Sequence, residues 1–215
     1  MGKKRVGVLG SGQVGQTLAA GFQRHGYAAM IGTREPGKLT GWAAGAGVEV
    51  GTFEEAARFG EVVVLAVKGV AAEEVLRSAG VVNFAGKVIL DTTNPIAESA
   101  PEEGVLHFFT TLEESLLERS QRLVPAARFV KAWSSVGSAL MVDPQLPGGP
   151  PTMFICGDEA EAKSEAQAIL EEFGWEVEDC GGAKAARAIE PLCILWCIPG
   201  FLRNDWAHAF KLLRP

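Results

Sequence analysis

The residue types and spacing with the clearest chemical content stand near the start of the chain, in Gly10-Ser11-Gly12-Gln13-Val14-Gly15. Between a strand and a helix, Gly10 permits a tight turn, Gly12 lets the backbone approach a pyrophosphate, and Gly15 lets the helix pack close to the sheet. The free N–H groups at the helix start, with the positive end of its dipole, would receive phosphate charge. Alone, this pattern is a weak signal in a chain with 26 glycines. Its setting strengthens it, because the β-branched run Val6 to Leu9 precedes it and Gln13 to His25 follows with Val14, Leu18 and Phe22 at helical spacing.

Gly26 then stops the helix, and Tyr27 to Ile31 reads as a second buried strand, parallel to the first through a right-handed crossover. The tip of that strand separates the two nicotinamide cofactors. NAD readers place Asp or Glu there for the ribose hydroxyls, whereas this chain has Gly32-Thr33-Arg34-Glu35. Arg34 would pair bidentately with a 2'-phosphate and Thr33 would add a hydroxyl, which makes NADP(H) the expected cofactor. The competing reading leaves Arg34 as a solvated loop residue and gives the ribose to Glu35.

Further strand tips should lie on the same carboxyl edge, where open α/β sheets bind ligands. Val67-Lys68 and Asp91-Thr92-Thr93-Asn94-Pro95 therefore point at the nicotinamide half, with Asn94 near its ribose and Pro95 stiffening the turn. Asp91 and Thr92 read almost equally well as parts of a structural turn. Hydride transfer between planar rings needs positioning more than a side-chain acid, since the cofactors carry the chemistry. No side chain is accordingly assigned a catalytic role, and no metal-ligand cluster is expected. His25, His107 and His208 are scattered without an evident carboxylate partner and read as surface or packing residues. Glu190 reads as the structural partner of Arg187. Trp196, Phe201, Trp206 and Phe210 would serve packing before they lined an acceptor pocket.

The elements that must position these residues alternate. After a Gly-rich, weakly helical stretch, Val48 to Val50 is a strand and Thr52 caps a helix from Phe53 to Phe59, with Glu55 at capping-box spacing. Val62 to Val67 is a continuous apolar strand, Ala71 to Ala79 a helix, Lys87 to Leu90 a strand, Leu112 to Leu123 a helix and Arg128 to Ala132 a strand. Pro and Gly mark 143–151 as a boundary. Beyond it come a strand from Met153 to Cys156, a helix from Asp158 to Phe173, a strand from Trp175 to Glu178, and a long helical region from Ala183 to Leu213. The expected fold is a Rossmann-type, doubly wound, mainly parallel α/β sheet with a small C-terminal α/β extension ending in a long helix. Residues 1–142 would form the NADP-binding part and 152–215 the smaller part, packed as one unit.

A formal charge of −6 over 215 residues argues against a general nucleic-acid binder. The N-terminus lacks the pattern of a signal peptide, and the apolar run from Pro191 to Leu202 is shorter than the roughly twenty residues that span a bilayer. The expectation is a cytoplasmic protein without a membrane partner, Pro191 to Leu202 forming a buried helix that makes a homodimer plausible. The four cysteines include no C-x-x-C pair: Cys156 and Cys180 fall in strands, Cys193 and Cys197 one helical turn apart, and all read as buried thiols.

The chain resembles the deazaflavin (coenzyme F-420)-dependent NADP reductase family and its relatives, among them the oxidoreductase domains of the six-transmembrane epithelial antigen metalloreductases. The resemblance covers nearly the whole chain. It rests on Gly10 to Gly15, Gly32-Thr33-Arg34-Glu35-Pro36, Asp91 to Pro95, Val130-Lys131-Ala132-Trp133 and Phe154-Ile155-Cys156-Gly157-Asp158. It implies that NADPH passes a hydride to a flavin or deazaflavin at the sheet edge, with Thr33 and Arg34 on the 2'-phosphate and Asn94 on the nicotinamide side. Where relatives commonly place an asparagine after the Lys-Ala-aromatic run, this chain has Ser134-Ser135. Two other readings stay open: an imine or pyrroline-carboxylate reductase, and a module that binds NADP(H) to control association without turnover.

Overall fold

Alternation of strands with helices, broken only after the sixth strand and at the C-terminal helix pair, builds the architecture of the computed structural model, which describes residues 2–215. In chain order the elements are β1 Arg5–Leu9, α1 Gln13–Arg24, β2 Ala28–Gly32, α2 Thr40–Ala46, β3 Glu49–Gly51, α3 Phe53–Phe59, β4 Val62–Leu65, α4 Ala72–Ser78 and β5 Val88–Asp91. They continue with α5 Leu116–Leu123, β6 Arg128–Lys131, β7 Thr152–Ile155, α6 Ala160–Glu172, β8 Glu176–Asp179, α7 Ala186–Ile189 and α8 Leu192–Arg203. Six strands form one sheet in the order β3-β2-β1-β4-β5-β6, with every pairing parallel. This is the expected doubly wound Rossmann sheet, with the chain reversing direction between β1 and β4. A second, two-stranded parallel sheet pairs β7 with β8 and touches β6 where Lys131 N–H donates to the Cys156 carbonyl at 2.9 Å.

Alternate side chains of each strand feed opposite cores. Val6, Val8, Ile31, Val62 and Leu90 pack with α1 and α6 and with Trp133 and Phe173. Leu9, Val63, Leu65 and Ile89 pack on the other face with residues of α3, α4 and α5. β4 and β5 are wholly buried, as their continuous apolar runs demand. The Thr52–Glu55 capping box at α3 is present.

Five expectations differ from the structure. The helix placed at Leu112 begins at Leu116, because Ser115 and Glu118 form a capping box that fixes the start there. The terminal helix does not reach Leu213: Asn204 turns left-handed at φ 54°, and the chain returns beside β7, where Thr152 N–H donates to the Phe210 carbonyl at 2.9 Å. The apolar helix is not simply buried, for Leu195, Phe201 and Leu202 are exposed while Cys193, Trp196, Cys197 and Gly200 are covered. Nor is its run short. The helical course Ala183–Arg203 covers 21 residues and holds an 18-residue stretch of mean hydropathy 1.4, long and apolar enough to cross a bilayer by length and composition, with Pro191 at the N-cap of α8. Cys180, finally, stands exposed beyond the end of β8.

Candidate functional site

The first turn carries the geometry its glycines imply. Gly10 has φ 125°, and a Cβ there would stand 2.1 Å from the Ala66 carbonyl oxygen. A Cβ on Gly15 would stand 1.9 Å from the Gly10 carbonyl oxygen, so α1 packs at backbone contact on the turn. A Cβ on Gly12 would meet nothing within 4 Å, which leaves the approach to the helix start open. Gly12 is the N-cap of α1, and neither a capping side chain nor an acidic residue occupies its first turn. Those N–H groups and the dipole are therefore directed at whatever fills the space in front of them.

Gly10, Ser11, Gly12, Thr33, Arg34, Val67 and Lys68 come together around one groove of about 510 Å³, to which Phe53 and Leu39 add apolar walls. The Ser11 and Thr33 hydroxyls meet at 3.0 Å, joining the β1 and β2 tips. Arg34 is exposed at the rim and makes no ion pair with any described residue. Glu35, its rival for the ribose, faces Lys38 at 2.6 Å. A carboxylate held by an ammonium and a neighbouring guanidinium left unengaged suit a phosphate at that corner better than a bare ribose. Of the remaining sequence-derived site residues, Gln13 lies on a different depression beside Trp42, Val14 packs against the core and Gly15 is buried in the helix–sheet contact.

Asn94 and Pro95 are not in that groove. They sit on the turn after β5, with Asn94 half-buried and its amide engaged in both directions: Nδ2 donates to the Ser134 carbonyl at 2.7 Å and Oδ1 accepts from Ser134 Oγ at 2.7 Å. Ser134, at the position where the resembled family commonly has asparagine, is thus the partner that holds Asn94. Gly69 presses on the same turn, since a Cβ there would lie 2.0 Å from the Asn94 carbonyl oxygen.

Under this turn lies a charge cluster that sequence reading missed. Lys131, at the end of β6, is wholly buried and donates to Asp91 Oδ2 at 2.7 Å and to the Thr93 carbonyl at 2.8 Å; its Nζ stands 2.9 Å from Glu190 Oε1. Burial works against its charge, but the Asp91 and Glu190 carboxylates more than offset that and hold the ammonium above its usual range. Asp91 Oδ1 accepts from Thr93 N–H at 2.9 Å and from Thr93 Oγ1 at 2.7 Å, so Asp91 belongs to the structural turn. Glu190 also accepts the Leu116 and Leu117 N–H groups at 3.0 Å, which are first-turn donors of α5. The expected Glu190–Arg187 pair is therefore wrong: Arg187 reaches Glu118 at 2.7 Å, drawing that carboxyl down to about 2. The visible signal was charge inside apolar runs, Lys131 within Phe129 to Trp133 and Glu190 beside Ile189, which is rare without a buried partner.

His25, expected to lack a carboxylate partner, has Nε2 at 3.1 Å from both Asp143 oxygens. It follows the C-terminal end of α1, roughly 18 Å from the glycine turn for a helix of twelve residues. Trp196 stacks on His208 and meets Trp206 at a tilt, and Phe201 meets Trp206 edge-on, so these rings pack the terminal segment. Among the described residues, no group of three or more His, Cys, Asp or Glu could hold a metal ion.

Residues 5–95 match the family described as NADP oxidoreductase, coenzyme F420-dependent. The chain is 30% identical over 203 residues to the metalloreductase STEAP3 of Rattus norvegicus, spanning 92% of its own length and 39% of that protein's. The crystal structure of a candidate F420-dependent NADP-reductase from Arthrobacter sp. fb24 superposes at a TM-score of 0.93 with 31% identity, covering 99% of this chain and 100% of that one. An imine reductase from Streptomyces aurantiacus, at 20% identity and a TM-score of 0.69 over 93% of this chain and 63% of that one, shares the fold.

Proposed function

The chain belongs to the coenzyme F420-dependent NADP oxidoreductase family, and from that premise we propose that it binds NADP(H) along the carboxyl edge of its sheet and transfers a hydride between the nicotinamide and a flavin-like or deazaflavin acceptor. The observation that carries the cofactor reading is the β2 tip, where Arg34 is exposed and unengaged while Glu35 is held by Lys38. In this reading the 2'-phosphate sits on Arg34 and Thr33, and the pyrophosphate sits on the amides that Gly12 leaves open at the start of α1. Val67, Lys68 and the Asn94–Pro95 turn face the nicotinamide half. The dinucleotide supplies the hydride when bound. The protein's part is to orient its ring and keep one face open to a second planar molecule.

Residues 1–142 would then be the dinucleotide-binding part, with 152–215 backing the nicotinamide end through Glu190. The test follows NADPH absorbance with a deazaflavin, FMN, a quinone and a ferric chelate as separate acceptors. Oxidation by deazaflavin or FMN is expected. Tight NADPH binding with no oxidation by any of the four would replace this reading with a sensor that binds without turnover.

A further inference from the structure

We infer that Lys131 is a positioning residue for the nicotinamide half of the cofactor, locked in place by Glu190 from the C-terminal part, while the adenosine half binds independently of both. The inference deepens the cofactor reading and rests on it. Lys131 reaches no groove, since its side chain is wholly buried. What it holds is the turn above: its Nζ donates to the Thr93 carbonyl, one residue before Asn94, and to the Asp91 carboxylate that also ties down Thr93. An ammonium has three donors and no acceptor, and here three oxygens surround it, so its position is fixed from three directions.

Glu190 turns that local lock into a link with the C-terminal part. Its two oxygens are pinned by the Leu116 and Leu117 amides, so the carboxylate cannot rotate away from Lys131 without leaving the α5 start unsatisfied. On the far side of the turn, Asn94 is gripped by Ser134, three residues beyond Lys131 on the same chain segment. Between them Trp133 adopts φ 53°, a costly conformation for a bulky residue, with its N–H on Met153 Sδ and its Nε1–H on the Met141 carbonyl. The turn is thus clamped by Lys131 at the end of β6 and by Ser134 just beyond it. At the other end of the edge, the Ser11, Thr33 and Arg34 side chains make no hydrogen bond to any member of this cluster. No side-chain hydrogen bond among the described residues joins the two halves of the site directly; they meet at the tip of β4, where Thr92 donates to the Leu65 carbonyl and Gly10 packs on the Ala66 carbonyl.

The test measures affinity for two probes, NADPH and adenosine 2',5'-bisphosphate, together with turnover on the best acceptor, in Glu190→Gln and Ser134→Ala. Thermal melting on the same samples reports folding. Both variants should bind adenosine 2',5'-bisphosphate within about twofold of the unaltered protein, as expected of uncoupled sites. Glu190→Gln should lower kcat at saturating NADPH by roughly 10- to 100-fold, the scale on which small misplacements of reacting rings act. Ser134→Ala, which removes one outer contact and no buried charge, should show the same selective pattern more weakly. Arg34→Ala should show the reverse pattern, losing the bisphosphate and raising the KM for NADPH far more than it lowers kcat. Equal loss of both probes in folded Glu190→Gln, or no change in kcat in either variant, would overturn the positioning role while leaving the cofactor reading intact. Failure of the unaltered protein to bind either probe would overturn the cofactor reading, and this inference with it.

Discussion

At the tips of β1 and β2 the chain presents backbone amides and an exposed guanidinium on turns shaped by glycine; at the tips of β5 and β6 it buries a lysine between two carboxylates. The first arrangement is local. Its parts are set by steric contacts such as Gly15 against the Gly10 carbonyl, and its hydroxyl pair, Ser11 with Thr33, spans 22 positions. The second is assembled from distant segments, Asp91 to Lys131 across 40 positions and Leu116 to Glu190 across 74. In the proposed reading the difference separates two tasks. Holding phosphates needs donors that any strand-turn-helix supplies, whereas fixing a turn beneath a reactive ring needs restraints converging from several elements.

The comparison breaks most visibly at the buried end. Lys131→Met should cost about 3–5 kcal/mol of stability in chemical denaturation, because Asp91 and Glu190 stay buried without their counter-charge. A loss below about 1 kcal/mol, ordinary for an exposed pair, would mean that water reaches the cluster and the contrast fails. At the glycine end, Gly15→Ala should unfold the turn or displace α1, since its Cβ has no room. Gly12→Ala meets open space, so its melting temperature should hardly move while NADPH affinity falls at least tenfold, as a methyl group blocks the pyrophosphate approach. Equal affinity in that variant would place the phosphate elsewhere.

Arg34→Ala should weaken NADPH by roughly 1.5 to 3 kcal/mol, the worth of a hydrogen bond between charged groups, and NADH hardly at all. Calorimetry with both nucleotides checks it. The smallest effect concerns pH. Glu118 titrates lower in the folded chain, near 2, than a free glutamate, mainly through its Arg187 hydrogen bonds. Its contribution is therefore complete above the unfolded value near 4.5 and disappears as pH falls towards 2. Denaturation of Glu118→Gln should differ from the unaltered chain at pH 6 and converge with it near pH 2; a constant gap would show that the ion pair is not what stabilises there.

The sheet and the glycine turn were legible because both are written locally, in continuous apolar runs and glycine positions. Sequence reading failed at Leu112, where a helical pattern ran through a turn that Ser115 interrupts, and at Leu213, where Asn204 reverses the chain. The pairing of Glu190 with Arg187 failed for a different reason. Spacing along one helix offers a nearby partner, but Lys131 and the α5 amides, brought in by the fold, satisfy the buried Glu190 carboxylate, while Arg187 is taken up by Glu118. Asn94 was rightly placed on its turn after β5, yet its engagement with Ser134 depends on two strand tips meeting.

The most direct test of the account is a calorimetric titration of the unaltered protein with NADP+ and then NAD+ under identical salt. NADP+ should bind at least about tenfold more tightly, the guanidinium at the β2 tip making the difference. Equal affinities, or a preference for NAD+, would contradict it.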